Sequence, residues 1–576
     1  MEEELLKACA NGKVEEVQQL LQNEQIDINC QGNSQFEVTP LHAACFFGRI
    51  KVVKLLLNNK RVNLNQRDKS GWTPFGVACN QGHIEIVKLL LNDQRIDVNK
   101  GEYRYGHTPF YIACRNAHIE IMKLLLNNER IDVNKKDNEG KTPFYTACQE
   151  AHVKVVKILL NDQRVDVNKV DKNLQTPLYN SSYRGYVEIV KLLLNDQRID
   201  TNKANNFGQT PFWISCSLNR IQIVKLLLNR VDINKGNKVG ATPFYIACEK
   251  GHYKIVKLLL NDQRIDVNKA DNNGETPFYI ACRDAHLEIM KLLNVNERID
   301  VNKEEKKFGA TPLYTACEKG HIEIVKILLS DEGIDVNKVG KNLRTPLCIS
   351  SYRGYVEIVK LLLNDQRIDV SKANNFGQTP FWISCYFGHI EVVKLLLNRV
   401  DINRGDRTNA TPLYYACERD HYEIVKLLLN DQRIDTNKAQ IDQKTPFFIA
   451  CENGHIKIVK LLLNDQRVDI NATTEYIQTP LYASCSSGYF EIVENILASG
   501  KEVDLTITTD LGKTVIDIAR EEQHGRNLLE SEEDFQKRKR KWSMIIELLE
   551  SYEINPNETR TKLRIQLGLS RNISIV

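Results

Sequence analysis

No run of 18 apolar residues occurs in this chain, which argues against a membrane-spanning helix. The N-terminal stretch Met1 to Glu16 is acidic and holds no continuous apolar core, so no secretory signal is expected there. A phosphate loop, a strand-borne G-x-G-x-x-G and a G-x-S-x-G elbow are all missing. The chain has 15 cysteines but no C-x2-C pair, so the usual spacing of a zinc site is absent. An excess of one charge is missing too. With 78 basic and 74 acidic residues the formal net charge is +4, which is not the footprint of a nucleic-acid binder. Proline is scarce, at 15 in 576 residues, and where it occurs is informative.

Fourteen of those prolines follow a threonine; only Pro556 does not. The Thr-Pro pairs run from Thr39 to Thr479 in steps of 34 or 35 residues, with two steps of 32. A repeat of this length replaces the usual count of globular domains. Thr276 to Lys303, TPFYIACRDAHLEIMKLLNVNERIDVNK, is a representative unit. Its threonine can cap a helix with its hydroxyl, and proline suits the first helical position. Phe278, Ile280, Ala281 and Cys282 supply an apolar face. Ala285-His286 marks a tight break, which is Gly-His in five other units. Leu287, Ile289, Met290, Leu292 and Leu293 then recur at helical period. An Asn- and Asp-rich segment ends the unit as an extended loop. Two such short helices bury their apolar faces only by stacking on neighbours.

The period, and the string T-P-[LF]-x-x-A-C-x-x-G-H-x-E-I-V-K-L-L-L, resemble ankyrin repeats. Thr39-Pro40-Leu41-His42-Ala43-Ala44 is close to that family's T-P-L-H-x-A. The resemblance runs from residue 1 to about residue 552 and implies an all-α solenoid of about sixteen helix-turn-helix units with projecting loops. Three departures stand out. An aromatic replaces the family's histidine at Tyr111, Tyr145, Tyr179, Trp213, Tyr245, Tyr279, Tyr314, Trp382, Tyr414, Phe448 and Tyr482. Most inter-repeat loops are one residue longer, and cysteine replaces the second alanine. The domain reading is an N-terminal capping repeat over 1–33, fourteen Thr-Pro repeats over 34–505, a degenerate C-terminal cap with an insertion over 506–552, and a tail over 553–576 without repeat signature, expected to lack fixed structure. Trp542 to Tyr552 is read as the outer helix of that cap.

Twelve cysteines lie six residues after a Thr-Pro threonine, and nine histidines lie ten after, from His83 to His455. A Cys-His dyad is a nucleophile's signature and C-x3-H a zinc half-site. A reaction centre is not copied nine times at a structural period, so these residues read as framework: cysteine as a small buried hydrophobe, histidine as a bond to loop backbone. Only Cys30 and Cys348 stand off register. No enzyme and no cofactor are expected. The aromatic series reads as packing at the loop roots, with a peptide-contact ladder as the alternative.

Ligands of this family usually contact the loop tips and the first helix. That implies the position before each Thr-Pro and the two after each Ala-Cys, and these vary along the chain while the framework does not. The best candidates are Tyr352-Arg353 and Tyr386-Phe387 in adjacent repeats, with Phe46-Phe47 as a second exposed pair. Residues 181–216 and 350–385 match at 34 of 36 positions, five repeats apart. Tyr183-Arg184 is thus a copy of Tyr352-Arg353, and two like sites would permit bivalent binding. The expected function is a non-enzymatic scaffold or adaptor that binds other proteins on its concave face, as a monomer without membrane insertion. A nuclear regulator docking a transcription or chromatin protein, or a targeting subunit of an enzyme complex, are the alternatives. A cytoplasmic location is expected, or a nuclear one through Lys537, Arg538, Lys539, Arg540 and Lys541.

Overall fold

The computed structural model describes residues 1–32, 36–525 and 531–569. Two compact units make up the chain, Met1–Ala281 and Cys282–Val576. Among the described residues every regular element is helical. In the first unit Glu2–Asn11 pairs with Val14–Leu21, Pro40–Phe46 with Ile50–Asn58, and so on to Pro243–Glu249 with Tyr253–Leu260. Inner helices stack on inner helices and outer on outer.

The start of each inner helix is set locally. Thr108 is extended, its side chain accepts from the Tyr111 amide, and Pro109 takes the first helical position. The core follows from the apolar period. Phe110, Ala113 and Cys114 of one helix and Ile121, Met122 and Leu125 of its partner are each 1% exposed or less. Cutting such a leucine to alanine costs about 2–5 kcal/mol. All 15 cysteines are unbridged and buried. Burial pushes their thiols up, Cys30 to about 11, so none is a poised nucleophile.

Three kinds of polar clamp join most repeats to their neighbours. Arg198 donates from Nη2 to the Leu160 carbonyl at 2.8 Å, at the end of the preceding outer helix, where a cation suits the helix dipole. Asp196 holds that guanidinium at 2.6 Å. Asn134 donates to the Arg164 carbonyl at 2.7 Å and accepts from the Asp166 amide at 2.8 Å. His152 donates from Nε2 to the Arg115 carbonyl at 2.8 Å. The histidines therefore bond to the end of the previous repeat's inner helix, not to loop backbone as the spacing suggested. The loop tips are joined as well: the Asn138 amide donates to the Tyr105 carbonyl at 2.7 Å, and Lys172 to Glu139 at 3.0 Å.

The second unit repeats the pattern from Pro312–Lys319 with Ile322–Leu329 to Pro480–Ser486 with Phe490–Ala498. Arg367, His389 and Asn337 make the same clamps there. At the cap, Val515–His524 pairs with Glu532–Ile554, and Trp542 donates to the Cys485 carbonyl at 3.1 Å. The cap helix is longer than expected and contains the basic run. Lys537 pairs with Glu533, Arg538 donates to the Glu522 carbonyl, and Lys541 lies over the Tyr489 ring. The tail departs from expectation: Pro556–Gln566 is a helix, capped by Asn555, that buries Leu563 and donates from Arg564 to the Ala498 carbonyl. Residues 570–576 lie outside the described residues, as do 526–530 within the predicted insertion and 33–35 at the first junction.

Candidate functional site

The aromatic series is core, apart from the partly exposed Tyr482. Tyr111, Tyr145, Tyr179, Trp213, Trp382 and Phe448 are each 5% exposed or less. Their polar ends reach the next loop: Tyr111 donates to Asp137 at 2.9 Å, and Trp213 to the Ala241 carbonyl at 2.8 Å. A ladder of peptide contacts along these residues is therefore ruled out by burial.

The pairs after Ala-Cys behave differently from one another. Tyr352 and Tyr386 are partly buried rather than exposed, and Phe387 is 40% exposed. Cys348 explains this: it stands where other repeats have the buried aromatic, and its small side chain lets Tyr352, Tyr386 and Tyr415 pack against Cys348, Trp382 and Ile383. Tyr352 meets Phe387 edge-on at 4.6 Å and carries Arg344 at 4.6 Å over its ring. Arg353 pairs with Glu318 at 3.7 Å. Arg419 covers Tyr386 at 4.6 Å and donates to its hydroxyl. Much of this patch is satisfied from within. Tyr183 and Arg184 stand exposed, with only the partly exposed Leu218 at the position matching Phe387, so the two copies are not equivalent sites.

Phe46 and Phe47 are 49% and 51% exposed, and their rings touch each other edge-on at 5.0 Å. They border a groove of about 510 Å³. Leu6 and Ala10 of the first helix, Phe36 and Val38 of the first loop, and Trp72 of the second form its apolar walls. Val38 and Trp72 each precede a Thr-Pro pair, so the groove combines both kinds of variable position. The loop of Trp72 is held by Asp68, whose Oδ1 accepts from the Ser70 amide at 3.0 Å and the Trp72 amide at 2.9 Å. His42 braces the floor. Its Nε2 donates to the Trp72 carbonyl at 2.9 Å, so Nδ1 is the accepting nitrogen, 2.8 Å from the Thr39 hydroxyl. Burial holds its imidazole below the usual histidine value, so it is neutral at neutral pH.

One set of residues was not singled out by sequence reading. Three places before the Thr-Pro threonine, Phe36, Tyr105, Phe207 and Val239 in the first unit are exposed at the loop tips. Phe308, Phe376 and Tyr476 are exposed likewise in the second. Their fixed offset was the available signal. Phe36 shows what the position can do, since it closes one side of the groove.

Among the described residues no group of three or more His, Cys, Asp or Glu is arranged to hold a metal ion, and no helix is long and apolar enough to cross a membrane. The sequence matches the family model for Ankyrin repeats (3 copies) at residues 5–102, 97–171, 163–237, 223–305, 294–374, 366–440 and 433–508. A comparison with curated proteins finds no match. Among solved structures the chain is similar to the ankyrin repeat domain of Bcl-3, a unique member of the IkappaB protein family, at 24% identity. That likeness covers 38% of this chain and 98% of the other, with a TM-score of 0.36.

Proposed function

From the premise that this chain belongs to the ankyrin-repeat family, whose repeats are in general protein–protein interaction modules, we propose that it is a non-enzymatic scaffold that binds a protein partner at the groove beside Phe46 and Phe47. The observation that carries this reading is the half-exposed aromatic pair Phe46 and Phe47 bordering an apolar groove, on a row of positions that is mostly polar. Exposed apolar surface rimmed by polar residues marks interaction sites, and aromatic anchors dominate binding energy. The patch at Tyr352 and Tyr386 is the weaker candidate, because its rings already have partners within the chain.

The test is affinity capture from the source cells with three baits of equal helicity by circular dichroism. One is the full chain, one carries Phe46→Ser and Phe47→Ser, and one carries Tyr352→Ser, Arg353→Ser, Tyr386→Ser and Phe387→Ser. A partner lost from the second bait alone supports the groove. Loss from the third alone moves the contact to the other patch, and equal capture by all three sinks both.

A further inference from the structure

Asp68 lines the groove and is nine-tenths buried. Its Oδ1 takes two loop amides, and among the described residues no donor reaches its Oδ2. Two matching carboxylates of later loops are not left this way, although Asp406, whose bonds from Thr408 and Ala410 all end on Oδ1, is. Asp137 Oδ2 accepts from the Tyr111 hydroxyl at 2.9 Å, and Asp171 Oδ2 from the Tyr145 hydroxyl at 3.1 Å. Those tyrosines stand three residues after the Thr-Pro threonine. In the first Thr-Pro repeat that place belongs to His42, and both its ring nitrogens are already engaged, by the Trp72 carbonyl and by Thr39. The exchange of tyrosine for histidine thus removes a donor and leaves one carboxylate oxygen unpaired in an apolar wall. That oxygen is not sealed from solvent, so a donor that enters the groove can reach it.

We infer that the groove recognises a protein segment carrying a lysine next to a bulky apolar residue, the ammonium bonding to Asp68 Oδ2 while the apolar side chain packs among Phe36, Phe46 and Trp72. This rests on the reading of the groove as a protein-binding site and names the chemistry of its partner. Charge complementarity selects a cation, because charge-assisted hydrogen bonds are the stronger kind. Lysine fits better than arginine: a guanidinium fork seeks two carboxylate oxygens, and Oδ1 is already occupied. The surrounding rings of Trp72 and Phe46 also attract an ammonium.

The experiment screens the full chain against an array of random heptapeptides, beside Asp68→Asn, His42→Tyr and the double variant Phe46→Ser, Phe47→Ser. Asp68→Asn keeps an acceptor for the Ser70 and Trp72 amides, so the loop is retained; melting temperature checks this. His42→Tyr keeps the carboxylate and supplies the phenol donor that Tyr111 and Tyr145 supply to later loops. The expected result is enrichment of peptides with lysine beside a bulky apolar residue. Either single variant then weakens them about tenfold or more, as does replacing the lysine by norleucine. Captured peptides that need Phe46 and Phe47 but carry no lysine, or that bind both single variants as tightly as the native chain, overturn the lysine inference and leave the groove reading standing. No captured peptide, or capture indifferent to Phe46 and Phe47, overturns both.

Discussion

Residues 181–216 and 350–385 differ only at Thr201/Val370 and Asn202/Ser371, yet the tyrosine at the third place of each block lives in a different setting. Tyr183 is 51% exposed, while Tyr352 leans against Cys348 and under Arg344. The cause lies outside the copied block. Tyr179 fills the space that Cys348 leaves open, and Gln175 stands where Arg344 supplies a cation. On the far side Ser217-Leu218 replaces Tyr386-Phe387. In a stacked array the character of a surface residue is set by the repeat before and the repeat after. Duplicating a repeat copies its framework but not its binding surface.

The largest break in this comparison comes from exchanging the flanking residues. Tyr179→Cys removes a buried ring that bonds to Gln209 and Asn205, and is expected to cost about 3 kcal/mol in denaturant unfolding. A loss under about 1 kcal/mol would mean that Tyr183 swings in to fill the space, as Tyr352 does. Cys348→Tyr runs the exchange the other way. Overpacking is expected to cost about 2 kcal/mol and to expel Tyr352. Nitration of Tyr352 by tetranitromethane should then match that of Tyr183; unchanged nitration would break the explanation by space.

Smaller effects should be equal in the two copies. Ser182 and Ser351 replace the usual cysteine, are fully buried, and leave their hydroxyls without a partner. Ser182→Cys and Ser351→Cys are each expected to raise stability by about 1 kcal/mol; unequal gains in melting would show that the flanks reach this deep. The smallest effect is acid sensitivity. The Arg198 guanidinium holds Asp196 below the usual carboxylate value, and Arg367 does the same for Asp365. A lowered folded value gives stability that is present above the unfolded value and lost as pH falls through the folded one. Melting between pH 5 and pH 3 should therefore weaken both copies alike, and Arg198→Gln and Arg367→Gln should flatten that dependence by the same amount.

The fold was legible because its signals are local. Thr-Pro places a cap and a first-turn residue side by side, and the apolar period of each helix lies within ten residues. The clamps were less so. The recurring Asn, Asp and Arg of Asn195-Asp196-Gln197-Arg198 read as turn chemistry, but the carbonyl that Arg198 caps lies 38 residues back. The family resemblance puts Tyr352 on an exposed, ligand-contacting face; its packing depends on Cys348, a substitution on the neighbouring turn. Asn555-Pro556-Asn557-Glu558 is a helix-start signature, but outside the repeat pattern it had no frame to attach it. The unpaired oxygen of Asp68 is visible only in three dimensions, since it depends on what both nitrogens of His42 are bonded to.

The arginine and histidine clamps all reach toward the N-terminal neighbour. Arg198 fastens the helix end at Leu160, and His152 fastens the one at Arg115. As the chain leaves the ribosome, a repeat that has just emerged still holds two bare helix ends. It is closed only when the following one, some 34 residues later, arrives with its latches. Synthesis and folding thus run in the same direction along the array, and the most recently made segment is always the open one.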